Sequence, residues 1–159
     1  MHSIFVLCQN YPSEKDKYPM AFVHPRIKEY LKTGLDVKVI SFACNCPYIY
    51  DEVQVYTLQA GKELLQKSEK AILIAHAPNI KNHLFFILKT WKYLDRLILF
   101  FHGHEVLSTK KYYPRPYDFN KAAKREYRFL RLYDQIKLPV MRYYLKKFVA
   151  SGKCDMVFV

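Results

Sequence analysis

Residues 3–8, Ser-Ile-Phe-Val-Leu-Cys, form an apolar run of strand length that stops at a polar, Pro-containing stretch over 9–19. That pattern predicts a buried strand followed by a loop. Between residues 20 and 32 the apolar positions Phe22, Val23, Ile27, Tyr30 and Leu31 recur at helical spacing, and Gly34 stands where a glycine ends a helix. Residues 36–42 then alternate into a Val-Ile strand. A strand, a helix and a second apolar strand in that order imply a parallel pair with a right-handed crossover.

The order then repeats. The pattern predicts a short strand over 53–58, a short helix over 61–67, a strand over 71–75, a helix over 80–93 and a strand over 96–101. The last strands are nearly continuous in apolar residues, so both their faces should be covered. The expected fold class is therefore α/β: a Rossmann-like open parallel sheet with helices on both faces. Residues 103–118 read as a Pro- and Tyr-rich loop, and Asn120 is placed to cap the long basic helical region after it. Pro139 interrupts that region, predicting two helices or one kinked helix ending near Gly152. A last apolar strand is expected over 155–159.

Composition narrows the class. The 159 residues suit one domain. No stretch is long and apolar enough for a membrane span. The first residues show neither a basic leader nor a small-residue cleavage site, which leads us to expect a cytoplasmic protein. Four cysteines (Cys8, Cys44, Cys46, Cys154) lack paired C-x-x-C spacing and read as free buried thiols. In an open parallel sheet the crevice lies beyond the carboxyl ends of the strands. A chain that stops on such a strand is expected to be one domain, 1–159, whose cleft a second domain completes.

The 26 Lys and Arg against 14 Asp and Glu give a net charge of +12, and residues 110–147 hold twelve of the cations against three acids. Within that tract Lys121, Lys124, Arg125, Arg128 and Arg131 interleave with Phe129, Leu130, Tyr133 and Ile136. At helical spacing the apolar set predicts a stripe docked on the sheet with a cationic outer face. That face reads either as solvated surface or as a patch for anionic lipid headgroups; nucleic acid is the less favoured partner.

Only four glycines occur, and none lies in the first strand-to-helix turn, which weakens dinucleotide-fingerprint and P-loop readings. That turn instead carries Tyr11, Pro12, Ser13 and then residues 18–24, either a surface loop or a cradle for a hydroxylated ligand. His76 and His102 each follow an apolar strand, and Gly103, His104 and Glu105 come next after His102. The carboxyl edge of a parallel sheet is where polar side chains converge on ligands, and imidazole both donates and accepts hydrogen bonds near neutral pH. A metal site at His102, His104 and Glu105 is disfavoured because adjacent strand positions point to opposite faces. A hydrolase reading lacks a nucleophile-elbow serine.

In this order the features resemble the N-terminal domain of the retaining GT-B glycosyltransferases of family 4. The resemblance is carried by Tyr11-Pro12 and Phe22-Val23; by Gly34-Leu35-Asp36-Val37-Lys38-Val39, similar to a G-x-[ED]-V-x-V second strand; by His76; and by Phe101-His102-Gly103-His104-Glu105-Val106, similar to an H-G-x-[DE]-V segment. Where many relatives carry a Gly-Gly first loop, this chain has the longer segment 11–19.

The resemblance implies an acceptor-binding half whose nucleotide-sugar donor binds mainly to a C-terminal domain absent here, with no resident cofactor. It implies His102 as the catalytic group facing the cleft, with Tyr11, Ser13, His24, His76, Asn79 and Glu105 lining the acceptor side. A glycan or lipid-linked acceptor, as in surface polysaccharide synthesis, is the implied substrate, and the basic tract would meet an anionic membrane. The rival from another class is a non-enzymatic basic α/β module for nucleic acid or an acidic partner.

Overall fold

The computed structural model describes residues 3–158; Met1 and His2, part of the stretch read as lacking a leader, and Val159, the end of the expected last strand, lie outside the described residues. The strands are β1 (Ser3–Cys8), β2 (Asp36–Ser41), β3 (Tyr48–Tyr50), β4 (Val53–Tyr56), β5 (Ala71–His76), β6 (Leu94–Phe101) and β7 (Cys154–Phe158). They form one seven-stranded sheet in the order β3-β4-β2-β1-β5-β6-β7. Every pairing is parallel except that of β3 with β4. The chain is thus α/β with a Rossmann-like open sheet.

The antiparallel edge was not expected. Asp51 and Glu52 both adopt the left-handed region (φ 43° and 67°), the backbone of a tight two-residue hairpin turn. With no glycine or asparagine in that turn, the sequence gives no short-range sign of a hairpin.

Helices α1 (Val23–Lys32), α2 (Leu58–Lys67), α3 (His83–Thr90), α4 (Thr109–Tyr112) and α5 (Lys121–Ala150) connect the strands, and a 3-10 turn, Trp91–Tyr93, follows α3. Strand side chains alternate between the two faces, and each face has its own core. On one face Val23 and Ile27 of α1 pack against Ile4, Val6, Val39 and Ile74. On the other, Leu65 of α2, Ile87 of α3, and Met141 and Phe148 of α5 pack against Phe5, Leu7, Ile40, Leu73 and Leu99. Burying one such aliphatic side chain contributes about 1.5–3 kcal/mol, so the two layers dominate the stability of the sheet.

Local chemistry sets the helix ends. Thr57 Oγ1 accepts the Ala60 N–H at 3.2 Å to start α2, and Asn120 Oδ1 accepts the Ala123 N–H at 3.0 Å to start α5, as expected for Asn120. Gly34 follows α1 at φ 77°. Phe22 precedes α1 and is 56% exposed, so it does not join the helix core as its spacing suggested.

One of the two readings of the basic helix is excluded: it is not two helices but a single 30-residue element that runs through Pro139 and ends at Ala150, close to Gly152. Pro139 is on the solvent side, where water can satisfy the carbonyl that its missing N–H leaves unpaired. The expected docking stripe is also split: Phe129 (65% exposed) and Ile136 (64%) face out, whereas Leu130 and Tyr133 turn to the cavity described below. The buried positions are Asp134, Lys137, Met141 and Phe148. Asp134 and Lys137 tolerate burial because they pair with each other, Lys137 Nζ lying 2.6 Å from Asp134 Oδ1.

The four cysteines are free, but only Cys8 and Cys44 are buried; Cys46 is exposed and Cys154 half-buried, correcting the uniform reading. No helix of the described residues is long and apolar enough to cross a membrane.

Candidate functional site at the carboxyl edge of the sheet

Because β1, β5 and β6 run side by side in the same direction, the residues at their carboxyl ends share one rim. His76 pairs in register with Phe100, and its ring stacks on that phenyl at 4.8 Å. The next residue, Ala77, takes φ 48° and donates its N–H to the Phe100 carbonyl at 2.9 Å, turning the chain off the sheet. His102 follows β6, and its ring centroid lies 6.2 Å from that of His76. The two imidazoles expected on a common edge are therefore neighbours.

Phe22 covers both, with its ring 4.8 Å from His102 and 6.4 Å from His76. Beneath it His76 Nδ1 and His102 Nε2 are enclosed without a hydrogen-bond partner among the described residues. Such groups are uncommon in folded proteins and often mark ligand sites. Burial, helped by the Arg26 guanidinium 4.6 Å from the Phe100 ring and then by His102, lowers the His76 pKa to about 3. His76 is thus a neutral imidazole throughout the physiological range.

Gly103 (φ 106°) folds the next segment back, and its carbonyl accepts from Val106 and Leu107. This turn brings Glu105 under the strand end, where Oε2 accepts the His102 N–H at 3.0 Å and Oε1 lies 3.2 Å from His104 Nε2. Glu105, only 3% exposed, fixes the backbone that carries His102. Lys137 Nζ donates to the His104 carbonyl, and Asp134 Oδ2 accepts the Thr109 N–H at 2.6 Å, so α5 clamps the same loop at two points. Burial pulls the Asp134 pKa up, but the Lys137 ammonium and the Thr109 N–H outweigh it, and the carboxyl ends below its usual range.

Beside this rim lies a cavity of about 680 Å3, within the usual range for small-molecule sites. Asn79 and Glu105 line it, as does Gln9, the first residue after β1, whereas His76 and His102 stand beside it and are not part of its wall. Gln9 Oε1 accepts from Asn82 Nδ2 at 2.9 Å and from Asn79 Nδ2 at 3.3 Å, while Asn79 Oδ1 accepts the Asn82 N–H at 2.7 Å. Gln9 was missed by sequence reasoning. Its signal was positional: it stands one residue past the central strand, the counterpart of His102 after β6.

The other expected acceptor residues lie elsewhere. Tyr11 is buried, and its hydroxyl is 2.6 Å from His24 Nδ1; His24 Nε2 in turn meets Asp51 Oδ2 at 3.0 Å. Burial raises the Tyr11 pKa well above its ordinary value, so the phenol stays protonated. Tyr11 and His24 thus tie the first loop to the β3–β4 turn and form no part of the cavity wall, in contrast to the lining expected of them. Ser13 is also outside that wall: its Oγ accepts the Asp16 N–H at 3.2 Å within its own loop.

Of the basic residues, Lys124, Arg128 and Arg131 line a second basin together with Arg115, while Lys121 and Arg125 lie on the open surface of α5. Among the described residues no group of three or more His, Cys, Asp or Glu side chains is arranged to hold a metal ion.

Fold and site together define an open-sheet α/β protein with a histidine pair and a partly polar cavity at the strand ends. Comparison of the chain with protein-family models, with curated proteins and with solved structures finds no match.

Proposed function

We propose that this chain is the acceptor-side domain of a retaining GT-B glycosyltransferase, receiving a glycan or lipid-linked acceptor while a separate domain supplies the nucleotide-sugar. The observation that carries the reading is the placement of His76 and His102, 6.2 Å apart on the carboxyl rim of a parallel sheet, next to a cavity edged by Gln9, Asn79 and Glu105. In this reading His102 Nε2 takes a hydrogen bond from, or gives one to, a hydroxyl of the transferred sugar and positions it for transfer. His76, held neutral by burial, supports it from behind. Glu105 sets the His102 backbone, and Gln9 and Asn79 offer amides to acceptor hydroxyls.

The outward face of α5 extends the proposal to location. Phe129, Leu132, Ile136 and Tyr143 are exposed at three-, four- and seven-residue spacing, flanked by Lys121, Arg125 and Arg128. An apolar stripe bordered by cations is the pattern of a helix lying on an anionic lipid surface. The protein would then work peripherally at the inner face of a membrane.

The test is a nuclear magnetic resonance titration of the chain with acceptor oligosaccharides and, separately, with nucleotide-sugars. Acceptors should perturb the His76 and His102 ring signals, and His102→Ala should weaken that binding. A nucleotide-sugar that binds at the histidine pair, with no response to any acceptor, would overturn the assignment. The isolated chain is expected to fold and to transfer no sugar.

A further inference from the structure

The 680 Å3 cavity has a neighbour. Pro116 and Tyr127 line both it and a basin of about 740 Å3, so the two compartments meet at those side chains. Their chemistry is opposite. Away from its Gln9–Asn79–Glu105 edge the first is walled mainly by Ile80, Pro114, Leu130, Tyr133 and Met141, with Lys137, already paired with Asp134, and the exposed Glu126 as its charged neighbours. The second presents Arg115, Lys124, Arg128 and Arg131. Its one acid, Asp118, pairs with Lys124, and among the described residues no carboxylate neutralises Arg115, Arg128 or Arg131. At the mouth of the basin Tyr117 stacks on Phe119 at 5.5 Å, and both rings are exposed.

We infer that these joined compartments bind one phosphate-headed, single-chain lipid, with its phosphate among Arg115, Arg128 and Arg131 and its hydrocarbon chain in the cavity behind Tyr127. Three guanidinium groups without carboxylate partners match a phosphate in charge and in bidentate geometry. A cavity of this volume whose wall is mostly apolar accommodates a chain that water rejects. The exposed Tyr117–Phe119 pair suits the headgroup level of a bilayer, where aromatic rings with one wet side collect, and gives the lipid a path from the membrane. The inference stands apart from the acceptor reading: a lipid held this way keeps its phosphate in the basin and only its chain in the cavity beside the histidines, and its binding requires no sugar transfer.

Farnesyl phosphate, below the concentration at which it aggregates, is the probe, with farnesol and inorganic phosphate as its separate halves. Calorimetric titration without any sugar donor should show one saturable site for farnesyl phosphate, at least tenfold tighter than for either half and weakened by salt. Arg128→Glu with Arg131→Glu should lower that affinity at least tenfold, to the level of farnesol. Leu130→Asp should weaken farnesyl phosphate and farnesol together; circular dichroism confirms that each variant is folded.

Equal affinity for inorganic phosphate would make the basin a site for free anions, and equal affinity for farnesol would make the cavity a purely apolar one. Either result, or variants that bind like the parent chain, would overturn the inference. A chain that binds farnesyl phosphate while its His102 signal ignores acceptor sugars loses the transferase reading and retains this one.

Discussion

Lys137, buried midway along α5, donates to the backbone carbonyl of His104 at 2.7 Å. A side chain on the longest helix thereby holds the loop that begins with His102. Its partner Asp134, one turn earlier, holds the other end of that loop through Thr109. The geometry of the strand-end site thus depends on a pair of charges that face inward.

Breaking that pair from one side should be severe. Lys137→Met leaves the Asp134 carboxylate enclosed without its cation, a change that costs about 3–5 kcal/mol in comparable settings. Adding Asp134→Leu should recover at least half of the loss, since two apolar side chains need no partner. Urea denaturation of the single and double variants measures this, and simple additivity of the two losses would contradict the coupling.

Acid should weaken the fold before the carboxylates titrate. Burial holds the pKa of His76 at about 3 and that of His83 at about 4, against 6.5 for the free side chain. Both are neutral when folded and take up protons more readily when unfolded. Their contribution is therefore complete above about pH 6.5 and declines as the pH falls toward the folded values, by about 2 kcal/mol per histidine at pH 5. His83 is fully enclosed, neither ring nitrogen has a hydrogen-bond partner among the described residues, and its ring lies 4.8 Å from that of Phe42. His83→Leu should roughly halve the slope of stability between pH 6.5 and 5, read from urea midpoints; an unchanged slope would exclude His83 as a source.

Gly61 lies within α2 where the helix crosses β2. A Cβ there would sit 2.5 Å from Ile40 Cγ1 and 2.7 Å from Cδ1, and Ile40 is fully buried and cannot withdraw. Alanine favours a helix over glycine by about 1 kcal/mol, whereas overpacking costs about 1–3 kcal/mol. Gly61→Ala should therefore lower the thermal midpoint, and a rise would mean that α2 can shift away from the sheet.

The outer face of α5 has its own test. The chain should sediment with anionic vesicles and not with neutral ones, and the binding should fall as salt rises. Phe129→Glu with Ile136→Glu should reduce it further by removing the inserted side chains. Equal pelleting with both vesicle types, indifferent to salt, would count against the membrane reading. Tight, salt-sensitive retardation of nucleic acid in a gel would favour the rival binding module.

Much of the fold was legible because strand and helix periodicities dominate where packing is apolar. Ser3–Cys8, Asp36–Ser41 and Ala71–His76 lie within a residue of the expected spans. The adjacency of His76 and His102 also followed, since parallel neighbouring strands place their ends together. The orientation of α5 did not. Asp134 and Lys137 occupy the inward stripe with Met141 and Phe148, and a charge at such a position reads as solvent-facing until its partner three residues away is considered. Tyr11 and His24 lie apart from the cavity for a related reason. Their polar groups satisfy each other and Asp51, a pairing across distant segments that no local pattern encodes.

The strand order has a consequence for how the molecule forms. β1 is the first strand to be synthesised, yet it is the central one, bonded to β2 on one side and β5 on the other. Neither ladder can close until its partner, tens of residues later, has emerged, so each closure carries the entropy of a long loop. During translation one edge of the run from Ile4 to Cys8 stays unpaired until Ala71–His76 arrives, even after β2 has closed on the other, leaving that edge open to misassociation.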